Sequence, residues 1–459
     1  MIRAARKYDL LSFTAAKRML QSRWPQFVIT AIALGGFILA ILAGFVGTPV
    51  GSRNFSIIFV WIAWWALLML VAVPVFGRGW CSICPIPVTG EWLQRGALLD
   101  PLEKDGISLQ RRWPNRFRNI WLQNGAFALV ALFSSVVLTH PQVTSAVLAS
   151  FLFVAIGASL IFERRAFCRY LCPVGGFIGL YSQLAPVEVR VKDTSVCAAH
   201  TQKTCYTGSS DGYGCPWQVY PGALIKNTYC GTCLECLRTC PHDNVAINLR
   251  PFGSDLLVKS GRKLDEAFKA FIMLGAALVY SGVLLGPWGV LKSSAYSIGS
   301  AAWLIYAAGF ILFLFCVLPG IFYVSIWLGR IISGTSTSLR KLFISQAYAL
   351  VPLGLAAWIA FSLSFVFANL SYLWPVLSDP LGLSWNLIGT AGVSWQPYLT
   401  QYVPGLQGLI LIAGLVWACL TTQRISAEEA SPRAATLLSI PVCMFSLVMT
   451  LGLLGLLIG

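Results

Sequence analysis

Charged side chains are scarce in this chain: Asp, Glu, Lys and Arg make up 11% of its 459 residues, against 57% hydrophobic. A soluble domain carries about 25% charged residues, so there is too little polar surface here to cover a water-soluble globule. Acidic residues are the scarcer sign, 17 against 33 Lys and Arg, for a formal net charge of +16. That excess does not describe a nucleic-acid binder, because the basic residues gather in loops between apolar runs and not along one solvated face. In a membrane protein the same pattern sets orientation and attracts anionic lipid head groups. Histidine is nearly absent. His140, His200 and His242 are the whole supply, and none lies inside an apolar run, so no intramembrane bis-histidine haem is expected. No small-residue cleavage site precedes the first apolar run, so 1–25 reads as a retained, basic cytoplasmic arm.

Long hydrophobic runs are plentiful. A spanning helix needs about 20 apolar residues, and runs near 26–46, 55–76, 119–139, 142–162, 268–288, 301–328, 342–370, 402–422 and 435–459 qualify. The sixth and seventh are long enough to tilt, or to kink near Pro319 and Pro352. Lys and Arg concentrate in the arm and in 77–118, 163–267, 329–341 and 423–434, while only Arg53 and Lys292 fall in the alternate loops. With about nine spans in the inner or cytoplasmic membrane, this places the N-terminus in the cytoplasm and the C-terminus outside.

The expected fold is an all-α polytopic membrane protein with a small inserted α+β module of ferredoxin-like character. Its expected parts are the arm 1–25, a four-helix membrane domain 26–186, a cytoplasmic module 187–262 and a five-helix membrane domain 263–459. Within the module, Glu188, Arg190 and Lys192 alternate with valines as in a strand, and Val245–Leu249 reads as a second strand.

Fourteen cysteines are present, eleven of them between positions 81 and 240. A disulfide scaffold suits a small secreted chain, not a polytopic one. The run Cys230-Gly-Thr-Cys233-Leu-Glu-Cys236-Leu-Arg-Thr-Cys240-Pro241 is C-x2-C-x2-C-x3-C-P, the bacterial ferredoxin spacing for a [4Fe–4S] cluster. A zinc ribbon would instead show two separated C-x2-C pairs. Upstream lie Cys197, Cys205 and Cys215. In a pseudo-twofold ferredoxin arrangement Cys215 joins Cys230, Cys233 and Cys236 on one cluster. Cys240 then crosses to Cys197 and Cys205 on a second, which is one thiolate short. His200 stands where the missing cysteine would fall; it is a candidate ligand or a solvated loop residue. His242, after Cys240-Pro241, is a hydrogen-bonding neighbour of a cluster or a plain surface residue.

Two further pairs follow apolar runs: Cys81-Ser-Ile-Cys84-Pro85 and Cys168-Arg-Tyr-Leu-Cys172-Pro173. Both look like one unit used twice, with the proline opening a helix break or a new first turn. Two such pairs can hold a third iron–sulfur cluster, bind copper or work as redox-active dithiols. Cys316, Cys419 and Cys443 stand singly inside spans and read as inert. The polar run 333–338 reads as a helix-capping turn, not a flavin attachment site. Gln346 and Tyr348 read as helix packing, with a quinone head-group contact as the alternative.

On these motifs the chain resembles the NosR/NapH-type polytopic membrane ferredoxins. The matching residues are the Cys81/Cys84-Pro and Cys168/Cys172-Pro pairs, the spans carrying them, and the run from Cys230 to Pro241, over roughly 25–252. The resemblance implies electron transfer between the quinone pool, or another membrane donor, and a redox partner protein. It also implies clusters that face the cytoplasm. The first ferredoxin motif is stretched, no separate periplasmic flavin domain is visible, and the five C-terminal spans lie outside the resemblance. Two alternatives stand beside electron transfer: an assembly factor that reduces copper or thiols for a respiratory enzyme, and a redox-sensing membrane regulator.

Overall fold

The computed structural model describes residues 8–99 and 106–458. The basic residues Arg3, Arg6, Lys7 and Lys104 of the charge count lie outside these ranges. Among the described residues, eight helices are long and apolar enough to cross a membrane: Trp24–Val46, Phe55–Phe76, Pro141–Ile161, Leu264–Leu285, Ala301–Ser333, Leu339–Ser378, Thr400–Ala427 and Pro432–Leu457. The chain is a multi-pass membrane protein. The third expected span, 119–139, is broken. It forms a helix Trp121–Leu132, a non-helical residue at Phe133 and a single turn Ser134–Val137. Twelve residues rise about 18 Å, well short of a ~30 Å hydrocarbon core.

Where the sequence predicts kinks, the helices change winding. A π-helical stretch Phe313–Val317 precedes Pro319, and a 3-10 turn Tyr348–Leu350 precedes Pro352. Proline removes one backbone donor, and the looser or tighter turn before it absorbs the mismatch.

The chain divides into two compact units. The first comprises 1–39, 71–123 and 147–258. It contains a three-stranded antiparallel sheet ordered β1-β3-β2, with β1 Tyr8–Asp9, β2 Val187–Val191 and β3 Val245–Leu249. The two strands expected in the module are present, and the third comes from the N-terminal arm, where Tyr8 pairs with Leu249 and Asp9 with Asn248. Leu11, Val189, Leu237, Val245 and Ile247 form the module's small apolar core, with Leu20 packed against it. Arg238 fastens the arm further: its guanidinium donates to the carbonyls of Leu20, Gln21 and Ser22.

Of the three alternating charges, Glu188 and Arg190 turn inward, while Lys192, just past the strand, is exposed. Glu188 is buried and pairs at 2.9 Å with Arg250, which also bonds Asp255. Arg190 reaches the same Asp255 at 3.3 Å, and Asp255 accepts the Asn227 backbone N–H at 2.6 Å. This network ties the loop before Cys230 to the sheet.

The second unit comprises 40–70, 124–146 and 259–459. Its interior is aromatic, with Phe271 lying 5.0 Å from Phe322 and Phe322 lying 5.2 Å from Phe445. Polar side chains stitch its helices: Trp65 donates to Ser362 at 2.9 Å, and Gln407 to the Ala360 carbonyl at 2.8 Å. Such bonds suit apolar surroundings, where no water competes for them. Lys269, Asp265 and Glu266 are buried in the helix Leu264–Tyr280, and Tyr348 donates to Glu266 at 2.7 Å. Tyr348 is therefore hydrogen-bonded within the helix packing. The sequence reading missed the buried charges because Asp265 and Glu266 fall just before the apolar run 268–288 and count as loop residues, while Lys269 is a single charge inside it.

Candidate functional site

All eleven cysteines between 81 and 240 fall in the first unit, and they gather in three sets. Among the described residues no three His, Cys, Asp or Glu side chains converge closely enough, as they stand, to hold a single metal ion. The thiols are grouped at a wider spacing, around cavities and against buried cations.

Cys215, Cys230, Cys233 and Cys236 line one cavity with Val189, Trp217, Val219, Pro221 and Leu224. The loop that presents them is strained: Thr232 and Leu234, on either side of Cys233, adopt left-handed backbone at φ 47 and φ 62. Non-glycine residues there cost roughly 1–3 kcal/mol each and persist only where the surroundings impose them. Gly231 allows close approach, since a Cβ there would lie 1.8 Å from the indole nitrogen of the buried Trp217. Burial and the neighbouring thiols push Cys233 and Cys236 up, and burial is the larger cause. A four-thiol, apolar-walled cavity fits a [4Fe–4S] cubane in both donor chemistry and surroundings, because coordination deprotonates thiols that burial alone keeps neutral.

Cys197, Cys205 and Cys240 form the second set. Asn244 holds two of them, its side chain donating to the Cys197 sulfur at 3.3 Å and its backbone to the Cys240 sulfur at 3.4 Å. Cys205 is pushed up to about 11 by burial, then by Cys240, Cys197 and Cys215, so this set adjoins the first. His200 Nδ1 lies 2.7 Å from the Gln202 carbonyl, and its ring lies tilted at 47° against that of His242, their centroids 4.7 Å apart. The two histidines thus come together beside the three-thiol set.

Cys81, Cys84, Cys168 and Cys172 form the third set. Cys84 and Cys172 each precede a helix with proline in its first turn, Pro85–Arg95 and Pro173–Tyr181, and share the same extended backbone. The repeated sequence unit is a repeated structure. Cys172 caps its helix, its sulfur accepting the Gly175 N–H at 3.1 Å. A Cβ on Gly175 would stand 2.9 Å from the Cys168 carbonyl, so only glycine lets the two turns meet. Burial raises Cys84 first, then Cys81 and Cys172; Cys172 itself is pushed up to about 11, by burial above all. The Arg165 guanidinium forks the Glu91 carboxylate and donates to the Cys81 carbonyl. Burial alone would raise Glu91, but Arg165 and Arg95 hold it below the usual carboxylate value.

The three remaining cysteines lie elsewhere. Cys316 is exposed, while the thiols of Cys419 and Cys443 hydrogen-bond each other, a pairing that single cysteines 24 positions apart did not suggest.

The 4Fe-4S binding domain family matches residues 57–114 and 144–191, the segments that carry Cys81, Cys84, Cys168 and Cys172. In these segments the chain is similar to polytopic membrane 4Fe-4S ferredoxin-type proteins. It is 30% identical over 145 residues to the methylamine utilization ferredoxin-type protein MauN of Paracoccus denitrificans, a match covering 28% of this chain and 48% of that protein. The MauN of Methylorubrum extorquens is 28% identical over 146 residues, covering 29% and 48%. The putative electron transport protein YccM of Escherichia coli is 30% identical over 83 residues, covering 18% and 21%. The chain thus spans about half the length of the MauN relatives and about a fifth of YccM. No solved structure matches it.

Proposed function

We propose that this chain is a membrane-bound electron-transfer protein that carries three iron–sulfur clusters in series. The observation that supports it most is the sorting of eleven cysteines into three adjoining sets within one compact unit. In this reading Cys81, Cys84, Cys168 and Cys172 hold one [4Fe–4S] cluster at the membrane edge. Cys215, Cys230, Cys233 and Cys236 hold a second, and Cys197, Cys205 and Cys240 hold the third. A bound cluster supplies one-electron chemistry without protons.

The chain's own residues hold the sulfurs, exclude water and set the surrounding charge. Backbone N–H groups point at several sulfurs, among them those of Cys172, Cys215 and Cys240. Hydrogen bonds to sulfur stabilise the reduced state, so these groups tune potential as well as position. A lipid-soluble donor such as a quinol, and a redox partner protein on the module side, complete the proposal. The module and the arm face the cytoplasm, as the charge distribution favours.

Anaerobic purification with iron counting and EPR tests this. The expected result is about twelve iron atoms per chain, four for each cubane, with EPR signals after dithionite reduction that a quinol analogue reproduces. Cys81→Ser with Cys84→Ser should remove about a third of the iron. Unchanged iron and signals in that variant, with thiol or copper reduction lost, would leave the membrane-edge set as a dithiol or copper-reducing site.

A further inference from the structure

Two buried arginines stand between the membrane-edge thiols and the Cys215/Cys230/Cys233/Cys236 set. Arg78 donates to the Gly175 carbonyl, beside Cys172, and to the Thr228 carbonyl, two residues before Cys230. Its guanidinium also lies 4.3 Å from the ring of Trp217, which walls the four-thiol cavity. Arg165 donates to the Cys81 carbonyl and lines a second cavity together with Ser82 and Cys233. Both side chains are nearly inaccessible, at 4% and 6% exposed. Each cation therefore touches the frame of both sets, and the thiols of both feel it: Arg78 acts on Cys172 and Cys230, and Arg165 on Cys84, Cys168 and Cys233.

A buried cation is costly unless it neutralises something. Only Arg165 has a carboxylate partner among the contacts described, Glu91; Arg78 is held by two carbonyls and an indole face. Reducing a cluster adds negative charge, and a fixed cation in a low-dielectric interior stabilises that charge far more than it would in water. We propose that Arg78 and Arg165 are positioning residues that act as counter-charges shared by the two sets, raising and matching their potentials. With clusters held by the two thiol sets, the transfer between them would be a single electron with no bond or proton moving, and Arg78 and Arg165 would supply the fixed positive charge beside both. This rests on the reading that both sets hold iron–sulfur clusters.

The test is potentiometric EPR on the full-length, anaerobically purified protein, with dithionite as reductant, comparing wild type with Arg165→Gln, Arg78→Gln, Arg78→Lys and Glu91→Gln. Removing either cation should shift the midpoints of both signals to lower potential. Glu91→Gln, which keeps Arg165 but removes its counter-charge, should shift them to higher potential. Arg78→Lys should restore most of the Arg78→Gln loss. Should Arg165→Gln fail to load iron, Glu91→Gln still carries the sign test. The proposal is overturned if Glu91→Gln shifts the midpoints down or leaves them fixed, or if each variant moves one signal only. The underlying reading fails separately, by a wild-type iron count that Cys81→Ser with Cys84→Ser leaves unchanged.

Discussion

At Gly231 an added Cβ meets the Trp217 indole nitrogen at 1.8 Å, and Trp217 is 1% exposed, with no room to withdraw. Gly231→Ala should therefore push the Cys230–Cys233 turn off the indole. Overpacking of this kind costs about 1–3 kcal/mol, and the expected readout is loss of about one cluster's worth of iron with the other signals retained. Glu91 makes a different prediction. Its folded pKa is depressed, so the Arg165 pair contributes stability above the ordinary glutamate value, about 4.3, and loses it as pH falls through the lower folded value. Thermal unfolding should show Glu91→Gln less stable than wild type by about 3 kcal/mol near neutral pH, with the gap closing on acidification. The cysteines were legible in the sequence because ligand spacing is local. Arg78 and Arg165 were not, because in a basic loop they look like orientation signals, and only burial distinguishes them.

Among the elements, β2 and β3 could be read from alternation, but β1 could not. It is two residues long, sits in a basic arm and becomes a strand only because β3 offers it an edge. The same blindness covered the charged side of β2, where alternation marks a strand but does not reveal that Glu188 is paired in the interior. The arm's hold on the module runs through Arg238, 5% exposed along its side chain and bonded to three arm carbonyls. Arg238→Ala should release it. Hydrogen bonds to a charged group contribute about 1.5–3 kcal/mol, so amide exchange across Thr14–Gln21 should quicken by about tenfold or more. Unchanged protection would mean that β1 and Leu11 hold the arm without it.

For the whole molecule, the sequence revealed the membrane class and most of the spans, since both rest on long runs of composition. It did not show that 119–139 is interrupted, because hydropathy sums over a segment and does not register one residue, Phe133, leaving the helical region. Epitope insertions in living cells test the arrangement. Tags near 210 and near 388 should report opposite sides, the first cytoplasmic; a shared side would remove the proposed orientation. The docked arm has a consequence for that broken segment. Strands that exchange hydrogen bonds cannot have a bilayer between them, so Asp9 and Asn248 lie on one side. Between the arm and β2 the chain has three full-length helices, Trp24–Val46, Phe55–Phe76 and Pro141–Ile161. Three is odd, and an odd number of crossings would part the strands. Parity therefore requires a fourth passage, and among the described residues the interrupted stretch from Trp121 to Val137 is the apolar segment left to make it.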